Sequence, residues 1–117
     1  MRPTEDSKRC FIDETNKTSY YFYNGRISDG NYFYNIQWEA IMTMIQTVTD
    51  YGCEYKYFCL IDNENNNLIF IPLEDVIKNY KEKQDINERG RCLLNLRNRN
   101  GRWFWDEAGK YVEHLVL

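Results

Sequence analysis

A chain of 117 residues with a net charge of -3, 43% hydrophobic and 16% aromatic side chains has the composition of one globular domain, expected to span residues 1–117 with no second core. So many aromatics exclude a disordered tail, and the acidic balance excludes a surface given over wholly to nucleic acid. A single His and three Ser leave little material for nucleophilic catalysis.

In chain order, Arg9 to Asp13 and Thr18 to Asn24 (TSYYFYN) are β-branched or aromatic runs flanking the polar turn Glu14 to Lys17, a hairpin signal. The tetrapeptide YFYN recurs at Tyr32 to Asn35, with Asn24-Gly25 and Asp29-Gly30 between the copies as candidate reversals. The period then changes. Trp38, Ile41, Met42, Ile45 and Val48 form a helical stripe, with Asn35 as the expected N-cap and Gly52 as its end.

A second hairpin is read in Tyr55 to Asp62 (YKYFCLID), an Asn-rich turn and Leu68 to Ile71. Pro72 starts a second helix with Leu73, Val76, Ile77 and Tyr80 on its apolar side and Glu74 and Asp75 in its first turn. Lys81 to Gly90 reads as a frayed helix end and connector. The third hairpin is Arg91 to Asn98 and Trp103 to Trp105, and the spacing of Ala108, Tyr111, Val112, Leu115 and Val116 predicts a last helix, with a strand as the alternative because of Gly109. The expected fold class is therefore α+β, a largely antiparallel sheet of three ββα units with helices packed on one face.

The net charge is a sum over unlike parts. Residues 1–77 carry six basic and twelve acidic side chains, residues 78–105 eight and three, and residues 106–117 one and three, or -6, +5 and -2. Within the basic stretch, an Asn100-Gly101 type I′ turn pairs Arg99 with Arg102, Asn98 with Trp103, Arg97 with Phe104 and Leu96 with Trp105. Leu94, Leu96, Trp103 and Trp105 then share one face and Arg97, Arg99, Arg102 and Phe104 the other. Three guanidinium groups are not buried unpaired, so the Trp face goes to the core. The Arg face is a candidate binding site for an anionic partner, Arg for bidentate contacts and Phe104 for stacking.

Cys10, Cys53, Cys59 and Cys92 form no CxxC and no metal-ligand spacing with His114, so no metal or other cofactor is expected. The thiols read as free and reduced, fitting a cytoplasmic protein with no membrane span. Thirteen Asn, with abundant Lys, Ile and Tyr, are what an AT-rich coding sequence of bacterial or viral origin produces. The carboxylate pairs Asp13/Glu14, Asp62/Glu64, Glu74/Asp75 and Asp106/Glu107 all fall at expected turns or helix starts, where capping explains them.

One enzymatic alternative rests on Glu54-Tyr55-Lys56 at the head of YKYFCLID. This resembles the metal-binding strand of the PD-(D/E)xK nuclease superfamily, in which acidic residues hold Mg²⁺ and the Lys steadies the attacking water. The resemblance implies Glu54, Lys56 and a further acid as catalytic residues. The superfamily takes that acid from the preceding strand, whereas here only Asp50 and Glu39 are near in sequence. The leading expectation is a non-catalytic protein-binding domain of inhibitor, immunity or adaptor type, since rigid amphipathic aromatics dominate interfaces. Nucleic-acid binding through residues 97–104 is the first alternative and the nuclease, active or relic, the second.

Overall fold

The computed structural model describes residues 2–3, 9–28, 31–64, 66–80 and 90–116. The elements are β1 (Arg2–Pro3), β2 (Cys10–Asp13), β3 (Thr18–Asn24), β4 (Arg26–Ser28), β5 (Asn31–Gln37), α1 (Trp38–Tyr51), β6 (Tyr55–Asp62), β7 (Asn67–Pro72), α2 (Leu73–Lys78), β8 (Arg91–Arg99), β9 (Arg102–Trp105) and β10 (Lys110–Val116). They build one sheet in the order β1-β2-β3-β6-β7-β10-β9-β8-β5-β4. Eight strands have four or more residues, and the two short ones, β1 and β4, lie at the edges. Every pairing is antiparallel except β3 with β6. The α+β class and the mostly antiparallel sheet are as the sequence predicts.

Three local expectations are corrected. The last segment is the strand β10, because Gly109 takes a left-handed φ of 65° in the preceding turn and the chain then pairs through Lys110–Val112 with β9 and Glu113–Val116 with β7. The third unit thus ends in a strand. Asn35 is not an N-cap: β5 stays paired with β8 as far as Gln37, and α1 starts after Gln37 without a side-chain cap. Of the two candidate reversals, Asn24-Gly25 joins no hairpin, since β3 lies between β2 and β6 and does not neighbour β4, whereas β4 pairs antiparallel with β5, Ser28 opposite Asn31, on either side of Asp29-Gly30. Position 29–30 and the connector at 81–89 fall outside the described residues.

Helix α1 ends as expected at Gly52, whose φ of 64° lets its N–H reach the Val48 carbonyl. Its buried side is rotated from the apolar stripe, however. Ala40, Ile41, Met44 and Thr47 face the core, while Met42 and Ile45 are exposed. Polar neighbours account for Thr47 inside: its hydroxyl donates to the Thr43 carbonyl and accepts from the Cys10 thiol. Both helices feed one core cluster with Phe58, Leu60, Ile69, Ile71, Leu94, Leu96, Trp103 and Trp105, each such side chain contributing about 1.5–3 kcal/mol on burial.

The sheet curls until strands far apart in its order meet. The Tyr32 hydroxyl on β5 donates to the Asp62 carboxylate on β6, and the Tyr34 hydroxyl donates to the Ile61 carbonyl at 2.8 Å. Asp62 is buried and also accepts from the Glu64 N–H and the Asn67 amide, so it is a tie across the interior as well as a turn cap. Gly25, between β3 and β4, lies against the Tyr34 ring; a Cβ there would come within 2.5 Å of two ring carbons.

Gly25→Ala is expected to lower stability by about 1–3 kcal/mol, read as a lower urea midpoint, because Tyr34 is held at both ends and its ring cannot retreat. Burial, and then the Asp62 bond, push the Tyr32 hydroxyl up to about 12. A phenol whose pKa is raised on folding contributes stability that is complete below pH 10 and is lost as pH climbs toward 12. Denaturant titrations across that window will show a decline that is shallower in Tyr32→Phe.

Candidate functional site

The β8–β9 hairpin has the register read from its turn: Arg99 opposite Arg102, Asn98 opposite Trp103, Arg97 opposite Phe104 and Leu96 opposite Trp105. Asn100 and Gly101 take φ of 54° and 85°, as a type I′ turn requires, and the Gly101 N–H donates to the Asn98 side chain. Trp103 and Trp105 are buried, and the Trp105 indole donates to the Leu93 carbonyl.

On the opposite face the three Arg have different partners. Arg97 donates to Asp106 at 2.7 Å in an exposed ion pair, an interaction worth at most about 1 kcal/mol. Arg99 lies over the Phe104 ring, 4.1 Å from its centroid, and Arg102 over the Tyr111 ring at 4.0 Å. The two rings meet edge to face at 5.1 Å. Among the described residues no carboxylate pairs with Arg99 or Arg102. A guanidinium lying over a ring uses its π face and keeps its N–H donors for another group. The structure thus brings Arg99, Arg102 and Phe104 together and engages Arg97 elsewhere.

This ladder is one end of a larger surface. The helices cover the inner face of the sheet, so the alternate residues of its strands point outward. Phe11 meets Phe22 at 5.4 Å, and Tyr20 approaches Phe22, Tyr57 and Phe70 at 6.4, 6.2 and 6.4 Å. Tyr57 meets Phe70 edge-on at 6.0 Å. The exposed Leu115 borders the same patch. Beneath it, burial pushes the Cys59 thiol up to about 12, and all four cysteines are free. The alternation in TSYYFYN and YKYFCLID announces an outward set of aromatics; what it does not announce is that strands distant in sequence align them into one band.

The residues of the nuclease resemblance are held by separate partners. Glu54 faces Lys17 at 3.5 Å, Lys56 is bonded to Glu74 at 2.8 Å and Asp50 accepts from Gln46 within α1. The bond from Lys56 holds Glu74 below the usual carboxylate range. On the parallel neighbour β3, Thr18 and Ser19 stand opposite Tyr55 and Lys56, so that strand brings no acid beside them. Among the described residues no three His, Cys, Asp or Glu are grouped to hold a metal ion.

Sequence reasoning missed Lys110, Tyr111 and Glu113, because apolar spacing placed them on a helix. On β10 they stand beside Tyr57 and Phe70, and Lys110 pairs with Asp75 at 2.6 Å. Among the described residues no helix is long and apolar enough to cross a membrane. No family model, no curated protein and no solved structure matches this chain.

Replacing Arg99 and Arg102 together by Ala removes two exposed cation–π contacts, each about 0.5–1 kcal/mol. The fold is expected to survive, with an unchanged far-ultraviolet circular dichroism spectrum and a stability loss of no more than about 2 kcal/mol in urea.

Proposed function

We propose that this chain is a small non-catalytic binding domain that acts by covering a protein partner with the outer face of its sheet, as inhibitor, immunity and adaptor proteins do. The observation that carries the reading is the band of half-exposed rings from Phe11 through Tyr20, Phe22, Tyr57 and Phe70 to Tyr111. Contiguous apolar surface in contact with water is costly to keep and marks interaction sites. Tyr and Phe bury large areas for the loss of few rotamers, so they make efficient anchors. The molecule measures 41 × 39 × 21 Å, and a face of that breadth holds the roughly 800 Å² that each partner contributes to a standard interface. The charged rim of Arg97, Arg99 and Arg102 supplies orientation and association rate.

A second reading is favoured by the ladder alone. Two guanidinium groups placed on rings without carboxylate partners suit the phosphates and bases of a single-stranded nucleic acid.

Capture from a lysate of the source cell, with and without nuclease digestion, separates the two. The expected result is a protein partner retained after digestion and lost by the Tyr20→Ala, Phe22→Ala double variant, whose folding is checked by circular dichroism. Removing hot-spot anchors of this kind costs about 2 kcal/mol or more, some thirtyfold in affinity. Retention that requires intact nucleic acid, falls steeply with salt and depends on Arg99 and Arg102 would replace this reading with the second.

A further inference from the structure

Where the aromatic band meets β10 it borders an open cavity of about 210 Å³ whose lining includes Tyr57, Phe70, Asp75, Lys110, Tyr111 and Glu113, the liquid volume of about seven waters. We propose that this cavity receives one alkylammonium group, the end of a lysine side chain presented by the protein partner. The inference rests on the protein-binding reading and names the anchor that the partner inserts.

Two observations point to a cation. The walls include three aromatic rings, Tyr57 and Phe70 meeting edge to face, and aromatic rings attract ammonium ions through their negative faces. The ring of Tyr111 already carries the guanidinium of Arg102 at 4.0 Å, a cation outside the lining, which leaves Tyr57 and Phe70 as the rings open to the guest. Charge then decides the sign of the guest. Lys110 and Asp75 neutralise each other at 2.6 Å, whereas Glu113 has no cationic partner among the described residues. The lining is therefore negative by one charge.

The position of Glu113 strengthens the argument. On β10 it stands directly opposite Phe70 as an exposed carboxylate beside the apolar band, where a partner covering the band desolvates it at a cost unless a cation meets it. An alkylammonium satisfies both components at once: its methylenes lie along the rings and its head pairs with the carboxylate. An anionic guest is disfavoured by the same charge, and a neutral aliphatic one leaves Glu113 desolvated and unpaired.

The test is a titration of the isotope-labelled protein, followed by amide shifts in nuclear magnetic resonance, with N-acetyl-lysine amide, its trimethylated form and the neutral N-acetyl-norleucine amide. Both charged probes are expected to shift the amides of Phe70, Tyr111 and Glu113, and the norleucine probe to bind about fivefold more weakly, as loss of one ion pair worth about 1 kcal/mol implies. Tighter binding of the trimethylated probe would identify a modified lysine as the natural guest, and tighter binding of the unmodified probe a plain one. Glu113→Gln should weaken both about fivefold, while Lys110→Met, which frees Asp75, should tighten both. Equal binding of norleucine, or indifference to Glu113→Gln, overturns the proposal. The protein-binding reading is tested separately: a lysate partner retained by Glu113→Gln and lost by Tyr20→Ala, Phe22→Ala leaves that reading in place and removes the lysine anchor.

Discussion

Two tyrosine hydroxyls reaching across the inside of the sheet hold this molecule in shape. Tyr32 ends on the buried carboxylate of Asp62 and Tyr34 on the carbonyl of Ile61, so β5 and β6, far apart in strand order, are joined through the interior. Without that join an open sheet of this width would leave much of its inner face wet, because the covering helices have only fourteen and six residues. Curling brings Tyr21, Phe58, Leu94 and Trp103 into one cluster. The rolled sheet thus does for itself part of the covering that a longer helical layer would provide.

The same economy explains the surface. A sheet rolled around two short helices buries one set of alternating residues and exposes the other, and in this sequence both sets are aromatic. On β3, Tyr21 goes inward while Tyr20 and Phe22 go outward; on β6, Phe58 goes inward and Tyr57 outward. Core packing accounts for the first set only. The second set is held together by ring-to-ring contacts that a fold needing only solubility would not require, and it is edged by charges of both signs, Arg99 and Arg102 at one end and Glu113 nearby.

What could be read from the sequence was whatever local geometry decides. The hairpin register followed from Asn100-Gly101, since a two-residue turn and a period of two leave one solution, and Trp103 and Trp105 lie inside as that solution demands. Gly52 ended α1 for an equally local reason. The spacing of Tyr111, Val112 and Leu115 fits a helix, and what selects the strand β10 instead is the pair of edges on β7 and β9 that it fills. Asp62 looked like a turn residue because its principal partner, Tyr32, is thirty positions away. The YFYN copies could not announce their neighbours: β3 takes β2 and β6, with β6 in parallel, while β5 takes β4 and β8. The candidate surface was visible only in part for the same reason, its Arg end being local to one hairpin and its aromatic band assembled from four or more strands.

The last strand in sequence is the sixth of ten across the sheet. Its first half belongs to the ladder with β9 and its second half to the ladder with β7, so β10 is the seam between two sub-sheets. Until the β9–β10 hairpin docks, β7 presents a bare edge, and Phe70, with Glu113 across from it only after docking, has an unpaired flank. The pairing with β9 closes only a short turn, whereas the pairing with β7 joins residues far apart in sequence, so it carries the larger loop-closure cost and forms more slowly. Bare edges bordered by aromatics are also the surfaces most prone to pair with a second chain. Completion of the fold and protection from aggregation are therefore the same event, and the strand that closes the seam also carries Tyr111 and Glu113 into place.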